Sequence, residues 1–302
     1  MTAKGTPLGC FLHLRCVCLT FFARCVIMGA EQRKRGRDML TRADIHQFLK
    51  ENGIQSTDTV LVHTSMRAIG EVEGGCDGLI DGFVSYLTDG LFLVPTHTWR
   101  DVGREQPVYD VRETLPCIGA LPTVAAFRKD GFRSLHPTHS ITGFGKRAAA
   151  YLAGEENTGS PCPPHGAWGR LLEEKAKILL LGVGLTRNTY IHAVDEMLGL
   201  PGRLSEPISL TVIDHEGREH QVIFRKHDQG GSEYFDNYRL PMIYCDALTF
   251  GKLGNATVGI FDTVKGTEML RRLWAETDRD LCRGDMVIPE AYYIEWNKEG
   301  SK

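Results

Sequence analysis

Residues 59–95 read TVLVHTSMRAIGEVEGGCDGLIDGFVSYLTDGLFLVP, and this stretch decides the fold class. TVLVHTS (59–65) is a short β-branched run, which predicts a buried strand. A glycine-rich bend follows, then a segment whose Leu79, Ile80, Phe83 and Leu87 fall on one side of a helix. GLFLVP (90–95) is a second buried strand. Strand, loop, helix and strand in that order form a parallel crossover unit, the building block of α/β folds.

The pattern extends in both directions. Upstream, TRADIHQFLKENG (41–53) predicts a helix capped by Thr41. Asp44 lies in its first turn, Ile45, Phe48 and Leu49 make its apolar face, and Gly53 stops it. Downstream, LPTVAAFRKDG (121–131) and KRAAAYLAG (146–154) read as helices, and AKILLLGVG (176–184) is the most apolar strand of the chain. TRNTYIHAVDEMLG (186–199) reads as the helix after it. ISLTVIDHEGREHQVIFRK (208–226) alternates about a central Glu-Gly and predicts an antiparallel hairpin. VGIFDTVKGTEMLRRLWAETD (258–278) is a strand followed by an amphipathic helix. The expected architecture is one α/β domain over residues 40–302, with a mixed central sheet flanked by helices and an antiparallel hairpin insertion near 205–245.

Composition excludes several classes. Net charge is −3, with 24% charged and 42% apolar residues, so nothing points to nucleic acid. The nine cysteines are scattered and form no CxxC, which argues against a disulfide framework and a thiolate zinc site and for a reducing cytoplasm. Residues 9–30 are apolar but broken by Arg15 and Arg24, leaving a run too short for a membrane helix of roughly 20 residues and ill suited to a signal peptide. Residues 1–39 are therefore expected to be a disordered N-terminal extension. A cleaved or membrane-seeking leader is the competing reading.

Six of the eleven histidines fall between His63 and His192, at predicted strand or helix ends. His63 and Thr64 end one strand, and Thr96, His97 and Thr98 follow the next. Ligands of open α/β sheets bind at such strand C-termini. SLHPTHS (134–140) adds His136 and His139 in a polar loop. HTSMRAIGEVEGG (63–75) feeds a strand into a helix start at Gly74–Gly75, where free backbone N–H groups favour a pyrophosphate or an amide-bearing chain such as pantetheine. The plain alternative is an ordinary βα turn. On a helix, Thr189, His192, Asp195 and Glu196 share a face, which supplies a base and a carboxylate to orient it. A solvated helical face is the bland alternative.

Taken together, VLVHTSMRAIGEVEGG, GLFLVPTHT, RSLHPTHSITGFGKRA, GSPCPPHGAWGRLLE, KILLLGVGLTRNTYIHAVDE and GKLGNATVGIF, in this order, resemble the aminoglycoside 3-N-acetyltransferase family. The resemblance runs from about residue 40 to about residue 275. It implies that family's own α/β architecture and direct acetyl transfer from acetyl-CoA, as co-substrate, to an amine, with no metal. It makes His192 the catalytic base of an NTxxHxxE pattern, supported by Asp195 or Glu196. The chain departs from that pattern by carrying Asp195 where glutamate is usual, so which acid acts stays open. The backbone N–H groups of residues 64–66 or the Thr189 hydroxyl are the candidate oxyanion donors. His63, Thr64, Ser65, Met66, Gly74, Gly75, Thr96 and His136 are assigned to the CoA side. His97, His139, Glu233 and Asp236 are assigned to the amine acceptor. Residues 200–245 match only loosely, so the acceptor is not named by the resemblance. A soluble monomer or homodimer is expected, with neither nucleic acid nor membrane as partner. Two rivals are a non-catalytic CoA-binding protein of the same fold and a metal-dependent hydrolase using His136, His139, His192 and an acid as zinc ligands.

Overall fold

The computed structural model describes residues 39–228, 231–277, 288–291 and 293. The expected extension at 1–39 lies outside the described residues, apart from Met39. Helix α1 (Arg42–Glu51) opens with a complete capping box: Asp44 N donates to the Thr41 hydroxyl, and Thr41 N donates to the Asp44 carboxylate. The crossover follows as predicted, with β1 (Thr59–Thr64), a short α2 (Met66–Ile69), α3 (Gly75–Tyr86) and β2 (Leu91–Pro95). The chain continues through β3 (Val108–Asp110), α4 (Ala120–Ala126), β4 (Phe132–Arg133), β5 (Ile141–Phe144), α5 (Ala148–Tyr151) and α6 (Ala167–Arg170). Then come β6 (Lys177–Leu181), α7 (Tyr190–Met197), β7 (Ile208–Ile213), β8 (Glu219–Phe224), α8 (Arg239–Tyr244), β9 (Leu248–Leu253), β10 (Ala256–Asp262) and α9 (Thr263–Thr277).

Seven strands form the main sheet in the order β4-β5-β2-β1-β6-β10-β9. Its centre is parallel, β1 lying between β2 and β6, and both flanks turn antiparallel. Period-two alternation sends side chains of the central strands to two different cores. Leu61, Ile178 and Leu180 join one core with Trp168, Tyr190 and Phe261. Val60, Val62, Leu179 and Leu181 join the other with Ile45, Leu49 and Phe83. Complete burial of such side chains contributes about 1.5–3 kcal/mol each, which is why the most apolar segments occupy the middle of the sheet.

The hairpin at β7 and β8 does not extend this sheet. It builds a second, three-stranded sheet in the order β3-β7-β8, with β3 parallel to β7 and a small core of its own around Tyr109, Leu210 and Phe224. The helix expected over 186–199 begins only at Tyr190. A 3-10 turn (Leu185–Arg187) precedes it, and Asn188 at ψ 85 breaks the helical run. The helix expected over 146–154 contracts to one turn, α5. Among the described residues, no helix is long and apolar enough to cross a membrane.

Candidate active site

A cavity of about 730 Å³ opens at the C-terminal ends of β1, β2 and β6. His63, Thr64, His97, His139, Thr189 and His192 line it, together with Arg187, Lys226, His227, Asp228 and Glu233. Among the described residues, three of its buried polar atoms, His63 Nε2, Thr64 Oγ1 and His97 Nε2, have no hydrogen-bond partner. Buried polar groups are otherwise almost always paired, so this wall is built to meet polar groups of a ligand.

His192 projects from the first turn of α7, and its backbone N–H bonds to Thr189 O at 3.0 Å. Behind the ring, Nδ1 lies 3.8 Å from Asp195 Oδ2, one turn further along the helix. The same oxygen lies 3.2 Å from Nε of the buried Arg203. Glu196 points elsewhere. It accepts from the Ser160 hydroxyl at 2.5 Å and from Cys162 N at 2.8 Å, and His227 Nε2 lies 3.2 Å away. Asp195 thus lies beside His192, and Glu196 beside His227, because adjacent helical positions diverge by about 100°.

His227 is the functional candidate that sequence reasoning missed. Its ring lies 4.2 Å from that of His192 and 5.1 Å from that of His139. An isolated bridge pairs it with Leu204, and Asp228 N donates to Arg203 O, so the exit of β8 is pinned beside the residues that hold Asp195. RKHDQGG carried no motif for it; only the return of β8 to the end of α7 brings it in. Arg187 and Lys226 were also missed, though the Gly-Val-Gly turn after β6 put Arg187 at a strand C-terminus.

Burial sets the charge of the histidine cluster. Desolvation, helped by the Arg187 charge, pushes His63 down to about 3. Desolvation also pushes His227 down to about 4, with His192 nearby adding to it. It holds His97 and His139 well below the usual imidazole range, each lowered further by neighbouring histidines. Burial thus disfavours the charged form of all four imidazoles.

Other expected site residues lie outside the cavity wall. His136 is fully buried, its Nε2–H donating to Ser160 O while Nδ1 accepts from Thr138 N and His139 N. Both nitrogens are committed to holding the 134–140 loop, so His136 is a positioning group and not a coenzyme contact. Thr96 is buried against Ser140. Ser65 N donates to Leu181 O, which removes it as an oxyanion donor, and Met66 lies in the short α2. The turn before Gly74 and Gly75 is tied to the chain at Leu40, with Leu40 N bonded to Glu71 O and Glu73 N to Leu40 O. Gly75 N bonds Val72 O, so this helix start is a packed βα turn rather than an open anion cradle. Asp236 lines a second cavity of about 340 Å³ with Arg239 and Asn255. The trio His136, His139 and His192 offers no ligand set of hydrolase type, because His136 has no free ring nitrogen.

Comparison with known proteins places the chain among relatives of one kind. Aminoglycoside N(3)-acetyltransferase VII of Streptomyces paromomycinus is 29% identical over 188 residues, covering 56% of this chain and 65% of that one. Aminoglycoside N(3)-acetyltransferase IX of Micromonospora chalcea is 30% identical over 176 residues, covering 52% and 62%. The chain therefore spans a little under two thirds of the length of these relatives. The solved structure of AAC-IIIb in a binary complex with CoASH shares the fold, with a TM-score of 0.69 at 20% identity over 79% of this chain and 98% of that one. Residues 61–274 match the family described as aminoglycoside 3-N-acetyltransferase. With the mixed sheet, the histidine-lined cavity and a match over most of its length in agreement, the chain belongs to the aminoglycoside 3-N-acetyltransferase family.

Proposed function

We propose that the protein transfers an acetyl group from acetyl-CoA to an amine of an aminoglycoside or a related small polycation. The observation that carries the reading is His192 on the cavity wall with the Asp195 carboxylate 3.8 Å behind its ring. The names of the relatives and the CoASH complex of a protein of the same fold support the two substrates. A cytoplasmic location, with residues 40–302 as the catalytic domain, goes with this reading.

The wall carries both charges. Arg187 and Lys226 supply its cations, and Asp228 and Glu233 its carboxylates. The cations suit the phosphate-bearing coenzyme, and the carboxylates suit an ammonium-rich acceptor. Bound acetyl-CoA supplies the thioester that is attacked. An alkylammonium has no lone pair, so the site captures the neutral fraction of the amine or lowers its pKa on binding. His192 takes a proton from the attacking amine as the N–C bond forms; the C–S bond then breaks, and the CoA thiolate leaves with that proton, returned by the imidazolium. Asp195 keeps the imidazole oriented and stabilises its charged form. Negative charge developing on the thioester oxygen needs donors. The Thr189 hydroxyl and the unpartnered His63 and Thr64 atoms line the same cavity and can serve. Attack is direct. Cys162 is no rival nucleophile, because burial pushes its thiol well above the usual range.

The test is release of free CoA from acetyl-CoA against a panel of amines that includes deoxystreptamine antibiotics, for wild type and His192→Gln. General-base loss is expected to slow turnover by roughly 10²–10⁴-fold. Turnover within a few-fold of wild type removes His192 from the base role. Binding of CoA with no release on any amine favours a non-catalytic CoA-binding protein.

A further inference from the structure

Cys162, Glu196 and His227 bring a thiol, a carboxylate and an imidazole together beside the cavity, and their ligand atoms all lie within 4.8 Å of one another. The three come from separate parts of the chain. Cys162 lies in the loop before α6, Glu196 on α7, and His227 just past β8. The Glu196 side chain is 5% exposed and that of His227 18%. This is therefore an enclosed cluster with one edge on the cavity, not an acidic surface patch. Nothing in the acetyl-transfer scheme uses Cys162, and neither Glu196 nor His227 is needed to orient His192.

We propose that these three side chains form a binding site for a borderline-soft divalent cation, Zn²⁺, whose occupation inhibits the neighbouring base. A thiolate, an imidazole and a carboxylate are the donors that zinc prefers, and three protein ligands with an open fourth position are its usual arrangement at reactive sites. Ligand atoms around tetrahedral zinc stand about 3.3–3.8 Å apart, given bond lengths of about 2.0–2.3 Å. The cluster reaches that spacing by contracting about 1 Å, a rotamer-scale adjustment. The Ser160 hydroxyl and the Cys162 backbone N–H already fix the Glu196 carboxylate from outside, as outer partners fix the ligands of metal sites. His227 faces the cavity, which provides the route of entry and the open position.

Binding replaces protons. The thiol proton of Cys162 leaves to solvent. The proton on His227 Nε2, now directed at Glu196, moves by solvent exchange to Nδ1, and Nε2 takes the metal. Each ion bound thus releases one net proton, so affinity rises with pH. The His227 ring lies 4.2 Å from that of His192. His227 and His192 line the same cavity, so a doubly charged ion there repels the cationic amine that must reach His192. The inhibitory half rests on the proposed function; the binding half does not.

Titration of the full-length protein with Co²⁺ tests binding without an activity assay. One equivalent is expected to give a thiolate-to-metal charge-transfer band, bleached when Zn²⁺ displaces the cobalt. Cys162→Ser should abolish that band, and His227→Gln should weaken this equivalent by at least about tenfold. Cys117→Ser, which alters another cysteine of the cavity wall, should leave it intact. Thermal melting checks that each variant is folded. Should Cys162→Ser not fold, His227→Gln at the accessible edge decides. A cobalt band unchanged in Cys162→Ser or in His227→Gln, or no band in wild type, overturns the site. Zn²⁺ should also slow acetyl transfer reversibly, with recovery on chelation. Undiminished turnover at saturating Zn²⁺ overturns the inhibitory half. Absence of acetyl transfer with every amine counts against the proposed function while the cobalt band still stands.

Discussion

The Arg203 guanidinium lies 3.2 Å from the Asp195 carboxylate, at the same oxygen that faces His192 from 3.8 Å. Both side chains of the Arg203–Asp195 pair are almost fully buried. The orienting acid is therefore itself oriented, and its charge is matched before His192 gains a proton. Asp195→Asn removes the negative charge beside His192 and should lower kcat by about 10- to 100-fold, or about 1.4–2.7 kcal/mol. It should also destabilise the fold, since removing one partner strands the other in the interior. Asp195→Glu keeps the charge and should retain most of the rate. A kcat for Asp195→Asn equal to that of wild type would remove Asp195 from the mechanism.

The acceptor side predicts a smaller effect. Glu233 is exposed, and exposed ion pairs contribute only about 0.2–1 kcal/mol. Glu233→Gln should raise KM for a polycationic acceptor by at most about five-fold, with the effect fading as salt is added. KM for acetyl-CoA should stay unchanged. A rise confined to acetyl-CoA would move Glu233 to the coenzyme side.

Stability should fall with acidity. His63, His97, His136, His139 and His227 all titrate below the ordinary imidazole value of 6.5 because burial disfavours their charged forms. Below about pH 6.5 the unfolded chain takes up protons that the native chain refuses, so stability present above that pH is lost as pH drops toward 4. Glu155, pushed up to about 7 by burial, acts in the opposite sense between 4.5 and 7. One carboxyl does not reverse five imidazoles. Chemical denaturation at pH 7.5, 6 and 5 should show a progressive loss; a flat profile would mean that the cluster is solvated.

The turn after β6 carries a steric requirement. Gly182 has φ +68, and a Cβ there would lie 2.4 Å from Ala68 Cβ. Gly182→Ala should cost the left-handed strain of about 1–2 kcal/mol and a further overpacking penalty of about 1–3 kcal/mol. Gly53 has φ +73 with nothing within 4 Å, so Gly53→Ala should show the strain alone. Equal losses in urea unfolding would refute the steric contribution.

The centre of the fold was legible because β1, β2 and β6 are buried on both faces and announce themselves as continuous apolar runs. Strands β3, β4, β5 and β9 were not. Phe132–Arg133 is too short for periodicity, and Val108–Asp110 becomes a strand only by pairing with Thr211–Ile213, a hundred residues away in sequence. Local composition holds no record of such a partner. In the site, His192 and Asp195 were legible because helical spacing brings them together within one turn. His227 depends on where the hairpin returns, which no spacing rule encodes. The Gly74–Gly75 turn misled for the converse reason: glycines that look open to an anion serve here to seat Leu40 against Val72.

The Lys226 ammonium donates to the carbonyls of Trp99 and Val102, stitching the end of β8 to the segment that leaves β2. Tyr109 donates to Ser134 O and Arg133 to Val111 O, so the small sheet is also tied to the 133–134 stretch at the edge of the large one. Lys226 is one rivet of a continuous joint: β8 and the cavity mouth at Trp99 shift together, and a substitution in the hairpin reaches that mouth without touching it.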